Sequence, residues 1–256
     1  MDSLTDHKAQ FTNKPTGFDR KLDRRSFGEP LAALRSVKIV DSGEPLVDLR
    51  VAYPELTFRP GCLPFLRESV AAKAYAAHKS MPEGYTLIVS SCLRTIEMQR
   101  ETQKRIRTDL VEKHPEWTKA TLHRMLNRMV APPDDISPPP HTTGGAMDIG
   151  VKDAHGKDLD FNSPLEGWWS AAPTFSPGLS ATARHNRLMV VEVMEGVGFT
   201  NYVGEWWHWS YGDQGWALRV GSTTAYYGSI GLDDAESKRV PEPPKDPLPE
   251  VVETAT

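Results

Sequence analysis

Cysteine is nearly missing from this chain: Cys62 and Cys92 are the only two in 256 residues. Two thiols build neither a thiolate zinc site nor a disulfide framework, so both are expected reduced and partly buried. Long apolar runs are missing too, and nothing approaches the ~20 residues that span a bilayer. The N-terminus, Met1-Asp2-Ser3-Leu4-Thr5-Asp6-His7-Lys8, lacks the basic stretch leading into an apolar one that marks a secretory signal, so the expected address is the cytoplasm. Neither sign of charge dominates. Thirty Lys and Arg against 34 Asp and Glu leave a net charge of −4, which provides no footprint for nucleic acid or an anionic membrane. Short mixed runs such as Arg20-Lys21-Leu22-Asp23-Arg24-Arg25 read as solvated surface, and there is no internal repeat. What remains, 39% hydrophobic and 25% charged, can bury a real core in one domain with extensions.

The chain divides into three. Residues 1–45 are polar with weak periodicity and read as an arm lying over the domain. Residues 46–233 form the domain itself. Residues 234–256, with Pro241, Pro243, Pro244, Pro247 and Pro249 among charges, are expected to be disordered. Within the domain, Leu66, Val70, Ala74 and Ala77 fall at helical spacing before the turn Met81-Pro82-Glu83-Gly84. Residues 85–90 are β-rich. Thr95 is placed to cap a second helix carrying Met98, Ile106 and Leu110, and a third spans 117–129. The proline-rich stretch 131–140 fits neither a helix nor a central strand and reads as a stiff loop. Residues 146–151 look like a strand, 181–195 like an amphipathic helix, and 199–211 like a returning strand. Helices and strands without regular alternation predict an α+β fold.

Two segments carry chemistry. Gly204-Glu205-Trp206-Trp207-His208-Trp209-Ser210 sets a carboxylate and an imidazole three apart inside an aromatic wall, where unused polar groups cost free energy. His141-Thr142-Thr143-Gly144-Gly145-Ala146-Met147-Asp148 supplies a second His and a second carboxylate. Seven residues on an ideal strand would put His141 and Asp148 on opposite faces, so the chain must bend at Gly144-Gly145 for both to reach one metal. Glu205 and His208 diverge likewise on a flat strand, so Glu205 lies in the turn at Gly204 or a bulge rotates it. Two His and one carboxylate make a common catalytic zinc set, with another carboxylate as general base. Spacing leaves open which carboxylate has which role.

The residues from Ser137 through Asp148, followed by Glu205-Trp206-Trp207-His208, resemble the His-x6-Asp and Glu-x-x-His motifs of the zinc D-alanyl-D-alanine dipeptidases, the M15-type peptidases of the vancomycin-resistance kind. The resemblance runs from about Val47 to Tyr227. It implies a Hedgehog/DD-peptidase-like zinc fold, a small mostly antiparallel sheet flanked by helices. It further implies one Zn2+ per chain on His141, Asp148 and His208, Glu205 as catalytic acid/base, and Arg94 as a catalytic cation. Arg94 follows a strand, where a fixed guanidinium can stabilise a developing oxyanion. The chain departs from the family pattern at Pro139, where a Ser is usual, and at Val51, where a Tyr is usual. An acidic family residue falls at Glu166, a candidate for the substrate's amine.

The resemblance therefore implies hydrolysis of D-Ala-D-Ala or a closely related small dipeptide. Two other readings are a D,D-carboxypeptidase or endopeptidase on larger cell-wall peptides, and a non-catalytic module stabilised by zinc. The lack of a signal speaks against the first, and Glu205, which a structural site has no need of, against the second.

Overall fold

The computed structural model describes residues 28–166 and 168–232. The expectations for residues 1–27 and for the proline-rich tail lie outside the described residues.

Four helices follow from their caps or their spacing. Helix α3 (Glu68–Lys79; α1 and α2 are given below) buries Val70, Ala71, Ala74 and Ala77 on one stripe, as an i, i+4 pattern must. Helix α4 (Ile96–Lys113) starts where the Thr95 hydroxyl accepts from the Met98 N–H, and α5 (Lys119–Met129) starts where Thr118 does the same for Thr121. Such caps satisfy N–H groups that the first helical turn leaves without partners. Helix α7 (Ala181–Gly196) is capped by Ser180, and α6 is the single turn Trp168–Ala171.

At the centre lies a five-stranded sheet in the order β3-β5-β6-β8-β7. Its members are β3 (Thr57–Phe58), β5 (Thr86–Ser91), β6 (Ala146–Lys152), β7 (Thr200–Asn201) and β8 (His208–Ser210). The pairs β5·β6, β6·β8 and β7·β8 are antiparallel. The β3·β5 pair is parallel, so the expected antiparallel sheet holds for all but one edge. The returning strand expected over 199–211 is broken in two. Residues 203–207 form turns instead, because Gly204 and the three bulky residues after it leave the ladder.

Smaller elements brace this frame. Strands β2 (Leu46–Asp48) and β4 (Phe65–Arg67) pair antiparallel, with α2 (Leu49–Ala52) between them in sequence. Helix α1 (Leu31–Ser36) leads into β1 (Lys38–Ile39), which pairs in parallel with β9 (Thr224–Ala225). Helix α8 (Gln214–Val220) separates β8 from β9.

The main core fills the space between one face of the sheet and helices α3 and α7. Met147, Ile149, Val151 and Trp209 point into it and are at most 2% exposed. Their neighbours Asp148, His208 and Ser210 alternate to the other face, as strand geometry requires. No helix among the described residues is long and apolar enough to cross a membrane.

Candidate metal centre and active site

His141 sits in a 3-10 turn, Pro140–Thr143, that begins at a proline and ends at Gly144 with φ +70°. That left-handed conformation is the bend required between His141 and the strand carrying Asp148, and it favours glycine. Gly145 is required for a different reason: a Cβ there would lie 2.7 Å from the Tyr211 carbonyl oxygen. The turn is held from behind by Arg67, 2% exposed. Its Nε donates to the Thr143 carbonyl at 3.0 Å and its main-chain N–H to the Gly144 carbonyl at 2.9 Å. Its Nη2 reaches Asp41 at 2.9 Å, which brings the segment before β2 onto the same clamp.

Asp148 and His208 are direct cross-strand partners in the β6·β8 ladder. Opposite residues of an antiparallel pair project on the same face with Cβ atoms about 5 Å apart, which puts the carboxylate against the imidazole. His208 Nδ1 lies 3.0 Å and His141 Nε2 3.2 Å from Asp148 Oδ1. The rings of His141 and His208 meet edge to face at 4.9 Å. One ligand atom from each of the three residues falls within 4.8 Å of the others, and all three residues are buried.

The arrangement fits a divalent cation by its chemistry. His141 Nδ1 donates to the Cys92 carbonyl at 2.6 Å, which leaves its Nε2 lone pair aimed at the cluster. A main-chain partner of this kind fixes the tautomer of a metal-binding His. Burial, followed by the charge of Arg94, pushes His141 down to about 4, so it is neutral as a ligand must be. Burial also opposes the charge on Asp148, but His141, His208 and Arg94 outweigh it and hold the carboxyl well below its usual range. For His208, burial favours the neutral ring, yet the hydrogen bond and charge of Asp148 prevail and raise it. Two imidazoles and an ionised carboxylate are a common donor set for zinc.

Glu205 lies in the turn before β8, the first of the two geometries the sequence allowed. Its N–H donates to the Tyr202 carbonyl at 2.9 Å, and its carbonyl accepts from the His208 N–H at 3.1 Å. Burial pushes its carboxyl up to about 7, with Asp148 adding to the shift and His208 and Arg94 opposing it. Arg94 donates through Nη2 to Asp148 Oδ2 at 2.9 Å and through Nε to Ser91 Oγ at 3.2 Å. Its main-chain N–H also bonds the His141 carbonyl at 3.0 Å. The segment 92–94 thus grips His141 at both its ring and its backbone.

His141, Asp148, His208, Glu205 and Arg94 all line one cavity of about 620 Å³. Its far wall is formed by α4 and α5, with Leu31 and Leu34 of α1 closing the side. Pro139 lines it as well, next to His141. Glu166 is exposed and outside this lining, and so is Val51, at 74% exposure. The structure therefore gathers five of the six site residues and leaves Glu166 apart. Two contributors escaped the sequence reading. Cys92 acts through its carbonyl, which no side-chain pattern reveals. Tyr202 lines the cavity but stood in the sequence only as part of a run.

Comparison with known proteins finds relatives in one peptidase family. The model of the M15 peptidase family, described as D-Ala-D-Ala dipeptidase, matches residues 62–225. A D-alanyl-D-alanine dipeptidase of Synechocystis sp. is 25% identical over 245 residues, covering 80% of this chain and 99% of that protein. One from Escherichia coli is 32% identical over 68 residues, 27% of this chain and 35% of that protein. Among solved structures, a vancomycin-resistance D,D-pentapeptidase in complex with Zn(II) is 18% identical at a TM-score of 0.39, covering 69% of this chain and 87% of that one. A vancomycin-resistance D,D-dipeptidase with a D-Ala-D-Ala phosphinate analogue, also 18% identical, has a TM-score of 0.38 and covers 73% and 68%. The family match spans well over half of the 256 residues, and the chain is a peptidase belonging to the M15, D-Ala-D-Ala dipeptidase family.

Proposed function

We propose that the chain is a zinc-dependent dipeptidase that hydrolyses D-Ala-D-Ala or a closely related small dipeptide. The observation that carries this reading is one cavity holding a buried His141–Asp148–His208 donor set together with a carboxyl, Glu205, outside that set. His141 Nε2, His208 Nδ1 and Asp148 would hold the ion. Bound there, zinc supplies Lewis acidity and a water acidified toward neutral pH.

The protein's own groups do the rest. Glu205 accepts the proton of the attacking water and passes it to the leaving amine, a transfer suited to a carboxyl that burial has pushed up to about 7. Arg94, fixed by Asp148 and Ser91, presents a positive charge to the cavity where the carbonyl oxygen gains negative charge. Phe161 stacks on Trp206 at 4.0 Å, so an aromatic backing holds the Glu205 turn in place. Glu166 is retained as the proposed partner of the substrate's amine. Because it stands outside the cavity lining, that role requires the loop before α6 to approach the bound substrate.

The test is Glu205→Gln, which keeps size and hydrogen-bonding capacity while removing the acid/base. Turnover of D-Ala-D-Ala should fall by about 10²–10⁴-fold, with one zinc still bound per chain by metal analysis. A variant that keeps wild-type turnover would sink the assignment. An acylated tripeptide ending in D-Ala-D-Ala, assayed beside the free dipeptide, separates this reading from a carboxypeptidase.

A further inference from the structure

Tyr202 lies just beyond β7, in the turn that leads to Glu205. Its main chain is tied to both functional residues of that segment: its N–H donates to the His208 carbonyl at 3.1 Å, and its carbonyl accepts from the Glu205 N–H at 2.9 Å. Its ring stands edge-on to the His208 imidazole, 6.0 Å between centroids at 87°. Two glycines press on the ring. A Cβ at Gly28 or at Gly204 would overlap its hydroxyl-bearing end, so the ring has one place to sit. It lines the same cavity as the metal cluster and Glu205.

The hydroxyl so placed makes no hydrogen bond among the described residues. Tyr202 is half-buried rather than sealed off, and a tyrosine hydroxyl on a cavity wall ordinarily bonds water or a ligand there. The charged neighbours are committed elsewhere. Glu29 is held by Arg219 Nη1 at 3.1 Å, and Arg219 Nε donates to Thr200 Oγ1 at 2.8 Å. A phenol, with an ordinary pKa of about 10, is an O–H donor at neutral pH. An uncharged donor on the wall of a peptide-sized cavity, without a partner among the described residues, is placed to take a ligand oxygen.

We propose that Tyr202 contacts the substrate, its hydroxyl donating a hydrogen bond to an oxygen of the peptide held at the His141–Asp148–His208 cluster. This rests on the peptidase reading above and deepens it by naming a second donor besides Arg94. The two donors differ in kind. Arg94 is a cation tied to Asp148, whereas Tyr202 is uncharged and tied only through its backbone and ring.

Tyr202→Phe in the zinc-loaded, full-length chain tests the proposal, because it removes the hydroxyl and no hydrogen bond made among the described residues. Zinc content and Tm should stay at wild-type values, while kcat/KM for D-Ala-D-Ala falls about tenfold or more. Affinity for a phosphinate dipeptide, measured by calorimetry, should fall in parallel. Unchanged kcat/KM and phosphinate affinity would overturn the proposal. So would an activity loss accompanied by lower Tm or lost zinc, which marks a structural hydroxyl. A wild type that binds the phosphinate without cleaving the dipeptide defeats the hydrolase reading alone, and the phosphinate affinity of Tyr202→Phe then decides on Tyr202. A wild type that does neither overturns both.

Discussion

The two faces of strand β8 put stability and chemistry one residue apart. Trp209 is fully buried among Met147, Ile149 and the side chains of α3 and α7, while His208, its neighbour, looks across to Asp148 on the opposite face. The same alternation runs along β6, where Asp148 stands between Met147 and Ile149. One register therefore aligns both the core and the candidate His141–Asp148–His208 cluster. A slip of one residue would drive the carboxylate into the apolar core and expose the tryptophan, so the hydrophobic side holds the candidate site in register.

The largest effect expected from breaking this comparison comes from the core side. Trp209→Ala should cost about 3–5 kcal/mol, read as a steep loss of Tm or of soluble protein. His208→Ala, next to it, should leave the fold near wild-type stability in the zinc-free protein and abolish stoichiometric zinc binding. Measuring Tm with and without a chelator separates the two. If His208→Ala unfolds the protein as Trp209→Ala does, the two faces are not independent.

The smallest effect comes from the clamp behind the metal turn. Burial raises the Asp41 carboxyl, but the N–H groups of Gly43 and Gly228 and the charge of Arg67 outweigh this and hold it below its ordinary value. A depressed carboxyl stabilises the folded state above its unfolded pKa of ~3.9, and this contribution fades as pH falls through the folded value. Asp41→Asn should therefore lower Tm by about 2 °C at pH 7, with the gap to wild type closing below pH ~3. A gap that stays constant across that range would show that the charge of Asp41 contributes nothing.

Much of the fold was legible because local rules and tertiary packing agree. Thr95, Thr118 and Ser180 cap helices where hydroxyl residues precede helical periods, and the prolines of 131–139 hold the chain irregular up to the turn at His141. The break at 203–207 was not legible, since Trp206 and Trp207 have high strand propensity and only packing against Phe161 and the loop at Ala172 draws them out of the ladder. The parallel β3·β5 edge was invisible for the same reason: two residues carry no periodicity.

The candidate site divides along the same line. Residue types and spacing drew attention to His141, Asp148, Glu205 and His208 as candidates, and only the resemblance to the M15 peptidases attached a role to each. Spacing could not put Asp148 opposite His208, bring the Cys92 carbonyl to the His141 ring, leave Glu166 outside the cavity, or bring Tyr202 to its wall. These depend on strand register, on backbone atoms common to every residue, and on contacts between segments more than 40 residues apart. A linear pattern records which groups are present, whereas their distances exist only once the apolar face of the sheet has packed.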